Sequence, residues 1–335
     1  MKKLLILTLA VVCNSCWLDP FYDRSAGKFL KDVVPLEEFN SEFDDYNSDL
    51  PHNKSGHVFL TFSSKREKKD YFNLVYIPAE LKYDKRLSIQ KISKSGIIYD
   101  DVTDNATTAV FANTANGNFN VYGPRTISMR RDLASDGNTP DDVLFFYADD
   151  SEGNMEIKYM VRGAHGYEGP FKFDLLNSQK DDGYPTFSFD GDKIYFSSNR
   201  DGNFDIYEVS IDGAGYDRLS TATFIKPEKF AIRKVEELSS PADDKCPYLY
   251  GDIMVFVSDR PGGKGGTDIY YSKLENGKWS TPVNAGDRIN TSFNEYRPIL
   301  PSLNHFNYYL MIFSSDRPGG KGGFDLYMTG LIDRW

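Results

Sequence analysis

The chain has 335 residues, a formal net charge of −10 and an aromatic content of 15%. This acidic balance excludes a protein whose main partner is nucleic acid, because phosphates require a basic surface. Three cysteines are too few for a disulfide-stapled scaffold, and the length is sufficient for one large all-β domain.

The N-terminal residues have the pattern of an export signal. Lysines at positions 2 and 3 precede an apolar stretch over residues 4–12. This stretch is too short to cross a bilayer as a helix, which takes about 20 apolar residues. It fits the hydrophobic region of a secretory signal, and we therefore predict a signal peptide over residues 1–15.

The signal-like segment ends in two cysteines. Cys16 follows the small residue Ser15, which resembles the site cut by bacterial lipoprotein signal peptidase. We predict that Cys16 carries lipid and that residues 16–28 tether the protein to the outer membrane, on its periplasmic or its outer side. Two observations leave alternatives open. Cys13 stands where that pattern usually has leucine, and an ordinary secreted protein would have a similar start.

A strand-turn-strand unit recurs along the chain. In its clearest copy an Asp-Gly turn at positions 190 and 191 separates two apolar strands, which is a strong hairpin signal. The residue before the Ile, Leu or Val of the last strand marks each copy. These markers are Asn73, Asn120, Glu156, Asp205, Asp268 and Asp325. Six markers predict six four-stranded units.

The strands themselves indicate how the units pack. Residues 144–147 and 308–313 are apolar without alternation, so both faces of these strands must be covered. A β-propeller covers both faces, because each blade lies between two neighbours. We predict an all-β, six-bladed propeller over residues 29–335. We also predict that residues 29–36 complete the last blade, which removes an open sheet edge.

One part of the chain resembles a known family. Residues 258–266 and 315–323 both read Ser-Asp-Arg-Pro-Gly-Gly-Lys-Gly-Gly, and residues 288–298 have the segment that usually leads into the next blade. Over residues 183–330 the chain is therefore similar to TolB-type propellers of Bacteroidetes envelope proteins. The resemblance implies a binding platform in the cell envelope and no defined partner.

The two glycine-rich loops supply the candidate partner-binding residues. Arg260 and Lys264 in one loop, and Arg317 and Lys321 in the other, could hold a carboxylate or phosphate of a partner. The alternative is structural. In that interpretation the glycines permit positive φ angles, and each arginine pairs with an aspartate of its own blade.

Other polar residues are predicted to be structural. Asp205, Asp268 and Asp325 recur at one blade position and suit the capping of backbone N–H groups, and the spacing of a calcium loop is absent. No zinc or nucleophile motif is present, so we predict no metal, cofactor or catalytic residue. His165 is retained only for the alternative of a lyase acting on acidic sugars.

These observations lead to two hypotheses of function. The first is a non-enzymatic lipoprotein that binds one or more envelope proteins in a secretion or nutrient-uptake assembly. The alternative is a glycan-binding or glycan-cleaving propeller lipoprotein, which a cluster of exposed Trp or Tyr side chains with His165 around the central channel would favour. Both hypotheses include attachment to the membrane through the lipid on Cys16.

Overall fold

The computed structural model describes residues 29–51, 57–84, 89–95, 104–129, 142–188, 190–212, 220–301 and 308–333. These residues form five antiparallel sheets. The first strands of successive sheets contact one another around a complete circle. The fold is therefore a five-bladed β-propeller whose central channel is lined by the first strands, and the prediction of an all-β propeller is confirmed.

The first two blades follow a short N-terminal strand, β1 (Val34–Pro35). Blade 1 contains β2 (Asp45–Asp49), β3 (His57–Ser64), β4 (Asn73–Asp84) and β5 (Ile89–Lys94). Helix α1 (Asp104–Ala115) precedes blade 2, which contains β6 (Val121–Met129), β7 (Asp142–Asp149), β8 (Glu156–Gly163) and β9 (Gly166–Lys172).

The remaining three blades have the same order of strands. Blade 3 contains β10 (Asp182–Phe187), β11 (Lys193–Ser198), β12 (Asp205–Ile211) and, after helix α2 (Thr221–Ile225), β13 (Phe230–Lys234). Blade 4 contains β14 (Asp244–Tyr250), β15 (Ile253–Ser258), β16 (Asp268–Glu275) and an outer edge in two pieces, β17 (Lys278–Trp279) and β18 (Val283–Asn284). Blade 5 contains β19 (Glu295–Ile299), β20 (Tyr308–Ser315) and β21 (Asp325–Asp333). Strand β1 pairs antiparallel with β21, with Val34 opposite Met328.

The predicted number of six blades is wrong. Five of the six markers begin the third strand of a blade, but Asn120 lies directly before β6, which is a first strand. The marker at Asn120 predicts a strand upstream of it, but the apolar residues there belong to helix α1. The error has a physical cause. First and third strands both start on the same face of the propeller, and a polar side chain stands at or directly before the start of each.

Helix α1 was not predicted either. Its buried apolar residues are Phe111, Ala112 and Ala115, and two alanines give only a weak apolar stripe. Tertiary packing holds the helix, because the ring of Phe111 stacks on that of Phe145 in blade 2 at 5.4 Å. Within the described residues, neither helix has the length and apolar character needed to cross a bilayer.

The core lies between the blades, as the apolar strands indicated. All six residues of β15 are buried, and so are seven of the eight in β20. Aromatic side chains fill the space between blades, and the rings of Phe146 in blade 2 and Phe187 in blade 3 are 4.7 Å apart. The outer strand β13 is mostly exposed. This burial fixes the first strands around the channel.

Every first strand contains the same irregularity. Its third residue has a positive φ, between 44° and 58°, and the pairing with the second strand shifts at this point. Such a β-bulge bends the strand and redirects its side chains. The five residues are Asn47, Gly123, Tyr184, Cys246 and Arg297.

Candidate functional site

A pocket of about 390 Å³ opens at one end of the central channel. Its wall is mainly aromatic. Tyr46, Tyr122 and Tyr296 are the second residues of the first strands of blades 1, 2 and 5, and Tyr184 is the bulged third residue in blade 3. We call these four residues the tyrosine collar. The remaining lining residues are Asp150, Gly153, Met155, Asp181, Phe204 and Lys245.

The collar is a packed aromatic ring system. The ring of Tyr46 lies 6.0 Å from that of Tyr296 and 6.3 Å from that of Tyr122. The rings of Tyr184 and Tyr296 are 6.4 Å apart. The ring of Phe72 also packs against the collar, with its centre 4.4 Å from that of Tyr46, and Phe72 does not line the pocket. Aromatic rings at these separations stabilise one another, so the pocket wall is preorganised.

The collar hydroxyls are protonated at neutral pH. Burial, together with the nearby carboxylates of Asp150 and Asp181, raises the pKa of Tyr122 to about 12. Burial also raises the pKa of Tyr46 and of Tyr296 well above the usual value. Protonated phenols can donate hydrogen bonds, so the pocket combines apolar ring faces with polar donors.

Two carboxylates line the pocket, and both are held by hydrogen bonds. Asp150 accepts from the backbone N of Asn120 at 2.8 Å and from its Nδ2 at 2.6 Å. Asp181 accepts from the backbone N of Met155 at 2.9 Å and from Nδ2 of Asn199 at 2.9 Å. These donors fix the position of each carboxylate at the rim of the pocket.

The contact made by Asp181 recurs in all five blades. The residue just before each first strand accepts a hydrogen bond from the backbone N–H that precedes the third strand of the preceding blade. We call this contact the interblade latch. The five residues that accept it are Asp44, Asn120, Asp181, Asp243 and Asn294.

The predicted partner-binding arginines lie inside this framework. Nη2 of Arg317 bonds the carbonyl of Ile289 at 2.7 Å and the buried carboxylate of Glu295 at 3.0 Å, and Nε bonds Ser315. Arg260 makes the equivalent contacts in blade 4, with Leu238, Asp244 and Ser258. Nε and Nη2 of both guanidinium groups therefore already have acceptors within the protein.

The two loop lysines are more open to solvent. Nζ of Lys264 lies 2.8 Å from a carboxylate oxygen of Asp287, and Nζ of Lys321 lies 3.4 Å from one of Glu37. About half of each lysine side chain is exposed. Neither lysine lines the pocket, so the structure does not bring the predicted binding residues together at the channel.

The repeated aspartates bind the backbone or a lysine of their own blade. Asp268 accepts from the backbone N of Lys264 at 2.7 Å, and Asp325 accepts from that of Lys321 at 2.7 Å. Asp205 is bonded by Nζ of Lys234 at 2.8 Å. No group of three or more His, Cys, Asp or Glu side chains is placed to hold a metal within the part of the chain that the structure describes.

Two further residues from the sequence analysis lie away from the pocket or outside the description. His165 is exposed in the turn between β8 and β9 and does not line the pocket. Cys16, the predicted lipidation site, lies outside the described residues, as does all of residues 1–28.

Sequence reasoning missed the collar, although the chain has a signal for it. In four of the five first strands a proline follows the bulged residue, as in Tyr184-Pro185 and Arg297-Pro298. The other two such pairs are Gly123-Pro124 and Cys246-Pro247. These X-Pro pairs would have located the first strands and hence the residues next to the channel.

Comparison with known proteins identifies the fold. No protein-family model and no curated protein matches the chain. Among solved structures, an endo-arabinase from Bacteroides thetaiotaomicron is similar, with a TM-score of 0.52 and 14% identity over 91% of this chain and 97% of that one. The catalytic domain of an α-L-arabinofuranosidase from Coprinopsis cinerea has a TM-score of 0.51 and 12% identity, over 90% of this chain and 97% of that one.

The TolB resemblance receives less support. A structure described as TolB from Agrobacterium tumefaciens has a TM-score of 0.40 and 13% identity, over 90% of this chain and 97% of that one. At this score the similarity carries no argument for a TolB-type assignment. The fold is therefore described as a five-bladed β-propeller, without assignment to the TolB type.

The predicted function as a non-enzymatic protein-binding scaffold is contradicted. An arabinase and an arabinofuranosidase are both similar to this chain with a TM-score above 0.5, and this chain covers almost all of each. They fit the alternative, a propeller that binds or cleaves glycans, better than a scaffold. At 12% and 14% identity, the likeness itself shows the five-bladed propeller fold of this chain.

Proposed function

We propose that this protein binds a glycan at the tyrosine collar and cleaves it there. The observation that carries the proposal is the pocket itself, which places four tyrosines, Phe204 and two carboxylates around one opening. Its volume of about 390 Å³ falls within the roughly 300–1,000 Å³ of small-molecule sites. The comparisons with sugar-cleaving propellers support the same class of ligand.

The chemistry of the wall suits a sugar. A sugar ring presents apolar C–H faces that pack on aromatic rings, and hydroxyls that need hydrogen-bond partners. The collar offers ring faces and phenol donors, while Asp150 and Asp181 offer acceptors. Lys245 adds a cation, held 3.0 Å from Asp243.

Cleavage of a glycosidic bond generally uses a pair of carboxylates on either side of the bond. Among the described residues that line the pocket, Asp150 and Asp181 are the acidic ones. Both lie close enough to Tyr122 to raise its pKa. We therefore assign the two catalytic carboxylates to Asp150 and Asp181.

The proposal is tested by incubating the purified protein with a panel of polysaccharides that includes arabinan, and by following released sugars by anion-exchange chromatography. We expect new oligosaccharides or monosaccharides from at least one polymer. Tyr122→Ala should weaken binding of that polymer by about fivefold to tenfold, because a lost aromatic contact costs about 1 kcal/mol or more. Phe230→Ala serves as the control, since Phe230 is half exposed on the outer strand β13. No product and no binding across the panel would contradict the proposal.

We also propose that the protein is attached to the outer membrane through lipid on Cys16. The signal-like residues 1–15 and the small residue before Cys16 support this attachment. Cys16→Ala should abolish incorporation of labelled palmitate and move the protein from the membrane fraction to the soluble fraction. Unchanged labelling in Cys16→Ala would refute lipidation at this residue, and loss of labelling in Cys13→Ala alone would assign the lipid to Cys13.

We further propose that the N-terminal segment over residues 29–36 closes the ring. The contact that supports this is the pairing of β1 with β21, which gives blade 5 its fourth strand. The backbone N of Leu36 also donates to the carbonyl of Leu326 at 2.8 Å. Leu30 and Leu36 are buried in the same core cluster as Leu326.

A further inference from the structure

An arginine is buried at the centre of the propeller, beneath the collar. Arg297 is the bulged third residue of β19 and has no exposed surface. Its guanidinium group lies over the ring of Tyr184, at 5.4 Å from the ring centre. Nη1 donates to the carbonyl of Pro247 at 3.3 Å. One end of this group is thus fixed by a single long hydrogen bond and an aromatic face.

The other edge of the same guanidinium has no acceptor. Nε and Nη2 of Arg297 are buried and make no hydrogen bond to any described residue. Four other arginines in this protein use that same edge fully, with Nε on a serine hydroxyl and Nη2 on a backbone carbonyl. They are Arg66, Arg200, Arg260 and Arg317. A buried charged donor without a partner is strongly unfavourable, so an acceptor should be present here.

The charges around Arg297 do not balance. Arg125 is the second buried cation, and Asp49 is the buried carboxylate that faces both arginines. Asp49 is already engaged, with Oδ1 at 3.3 Å from Nη1 of Arg125 and Oδ2 accepting from the backbone N of Thr126 at 2.9 Å. Two positive charges therefore face one negative charge.

The remaining titratable neighbours are neutral at physiological pH. Burial raises the pKa of Cys246 to about 11, and it raises the pKa of Tyr184, Tyr248 and Tyr296 as well. Burial lowers the pKa of Arg297, but a guanidinium keeps its proton in proteins. The centre thus carries a net charge of about +1 that the described residues do not compensate.

We propose that the centre of the propeller binds one small inorganic anion, chloride under physiological conditions, on the Nε–Nη2 edge of Arg297. The full burial of Arg297 excludes a polymer or a large ligand and requires an ion that fits within the channel. Asn47 occupies the equivalent bulged position in the neighbouring blade 1, and its Nδ2 and Oδ1 are also buried without a partner among the described residues. Arg297 does not line the proposed glycan pocket, although Tyr184 contacts both, and the anion site does not depend on glycan binding.

The first test compares thermal unfolding in chloride and in gluconate, a larger anion, at equal ionic strength. We expect the Tm to rise with chloride concentration in a saturable manner, by about 3 °C or more at about 100 mM, because a ligand of the folded state stabilises it. Bromide should act like chloride. Equal Tm values in gluconate and chloride at all concentrations would overturn the proposal.

The variant Arg297→Asn removes the guanidinium at a position whose φ of 44° asparagine tolerates, as Asn47 shows at φ 57°. We expect this variant to lose the chloride dependence of its Tm. Arg200→Lys is the control, since Arg200 has acceptors on both Nε and Nη2, and it should retain the chloride dependence. Chloride dependence that persists in Arg297→Asn would contradict the proposed site.

If Arg297→Asn does not fold, diffraction from bromide-soaked crystals of the unmodified protein decides the question. An anomalous peak in hydrogen-bonding contact with Nε and Nη2 of Arg297 would support the proposal. A peak only at surface residues, or no peak, would overturn it.

Discussion

Replacing Asp150 by asparagine should lower kcat/KM for glycan cleavage by at least about 100-fold, the usual effect of losing a catalytic acid or base. Asp150 lines the pocket, and among the described residues its two side-chain oxygens accept hydrogen bonds only from Asn120. An asparagine of the same shape keeps one of these bonds. It cannot carry the negative charge or transfer the proton that cleavage requires. The measurement is steady-state kinetics on the polysaccharide that the panel identifies.

The chain offers a matched control for this variant. Asp316 holds the equivalent position in blade 5, where its oxygens accept from the backbone N of Asn294 at 2.7 Å and from its Nδ2 at 2.8 Å. Asp316 does not line the pocket. Asp150→Asn and Asp316→Asn should therefore lower the Tm by similar amounts, while only Asp150→Asn loses activity. An equal loss of activity in both variants would show that Asp150 acts through stability and would remove it from the catalytic assignment.

The largest expected effect on stability comes from Arg317→Met. Removal of the guanidinium leaves Glu295 without its ion pair, and the Glu295 side chain has no exposed surface. Breaking a buried ion pair by removing one partner costs about 3–5 kcal/mol. We expect a loss near the lower value, about 3 kcal/mol in the free energy of unfolding, because Thr291 still donates to Glu295 from its backbone N and its hydroxyl. Urea denaturation measures this change.

Lys321→Met is the control for the same loop. The ion pair of Lys321 with Glu37 is half exposed, and exposed pairs contribute about 0–1 kcal/mol. The free energy of unfolding of Lys321→Met should therefore differ little from that of the unmodified protein. A loss below 1 kcal/mol in Arg317→Met would mean that the arginine is not a structural residue of blade 5, and would return it to consideration as a binding residue.

Local sequence patterns were enough to predict the strands and the propeller. The Asp-Gly turn at residues 190 and 191 and the unalternating apolar strands depend on neighbouring residues alone, and these predictions hold. The number of blades was not predictable in this way. Asn120 and Asp205 are both followed by an aliphatic residue and Tyr, yet Asn120 lies directly before a first strand and Asp205 begins a third strand. A first strand and a third strand can be told apart only by the strands with which each one pairs.

The pocket was harder to predict than the fold because its residues are distant in sequence. The rings of Tyr46 and Tyr296 are 6.0 Å apart only because the first strands of blades 5 and 1 meet when the ring closes. The sequence instead predicts binding by the glycine-rich loops, because their composition is unusual. Their glycines have a structural explanation. A Cβ at Gly322 would collide with the carbonyl oxygen of Phe43 in blade 1, so only glycine permits the two backbones to approach.

The interblade latch also sets the order in which the chain can fold. The latch between blades 5 and 1 joins the backbone N of Phe324 to Asp44, which are 280 positions apart along the chain. Contacts of such long range form late and slow the folding of the whole domain. The ring therefore cannot close before the third strand of blade 5 has been synthesised. Until the ring closes, the faces of blades 1 and 4 that pack against blade 5 lack their partner. Uncovered apolar surface of this kind is where aggregation would start and where a chaperone would protect the chain.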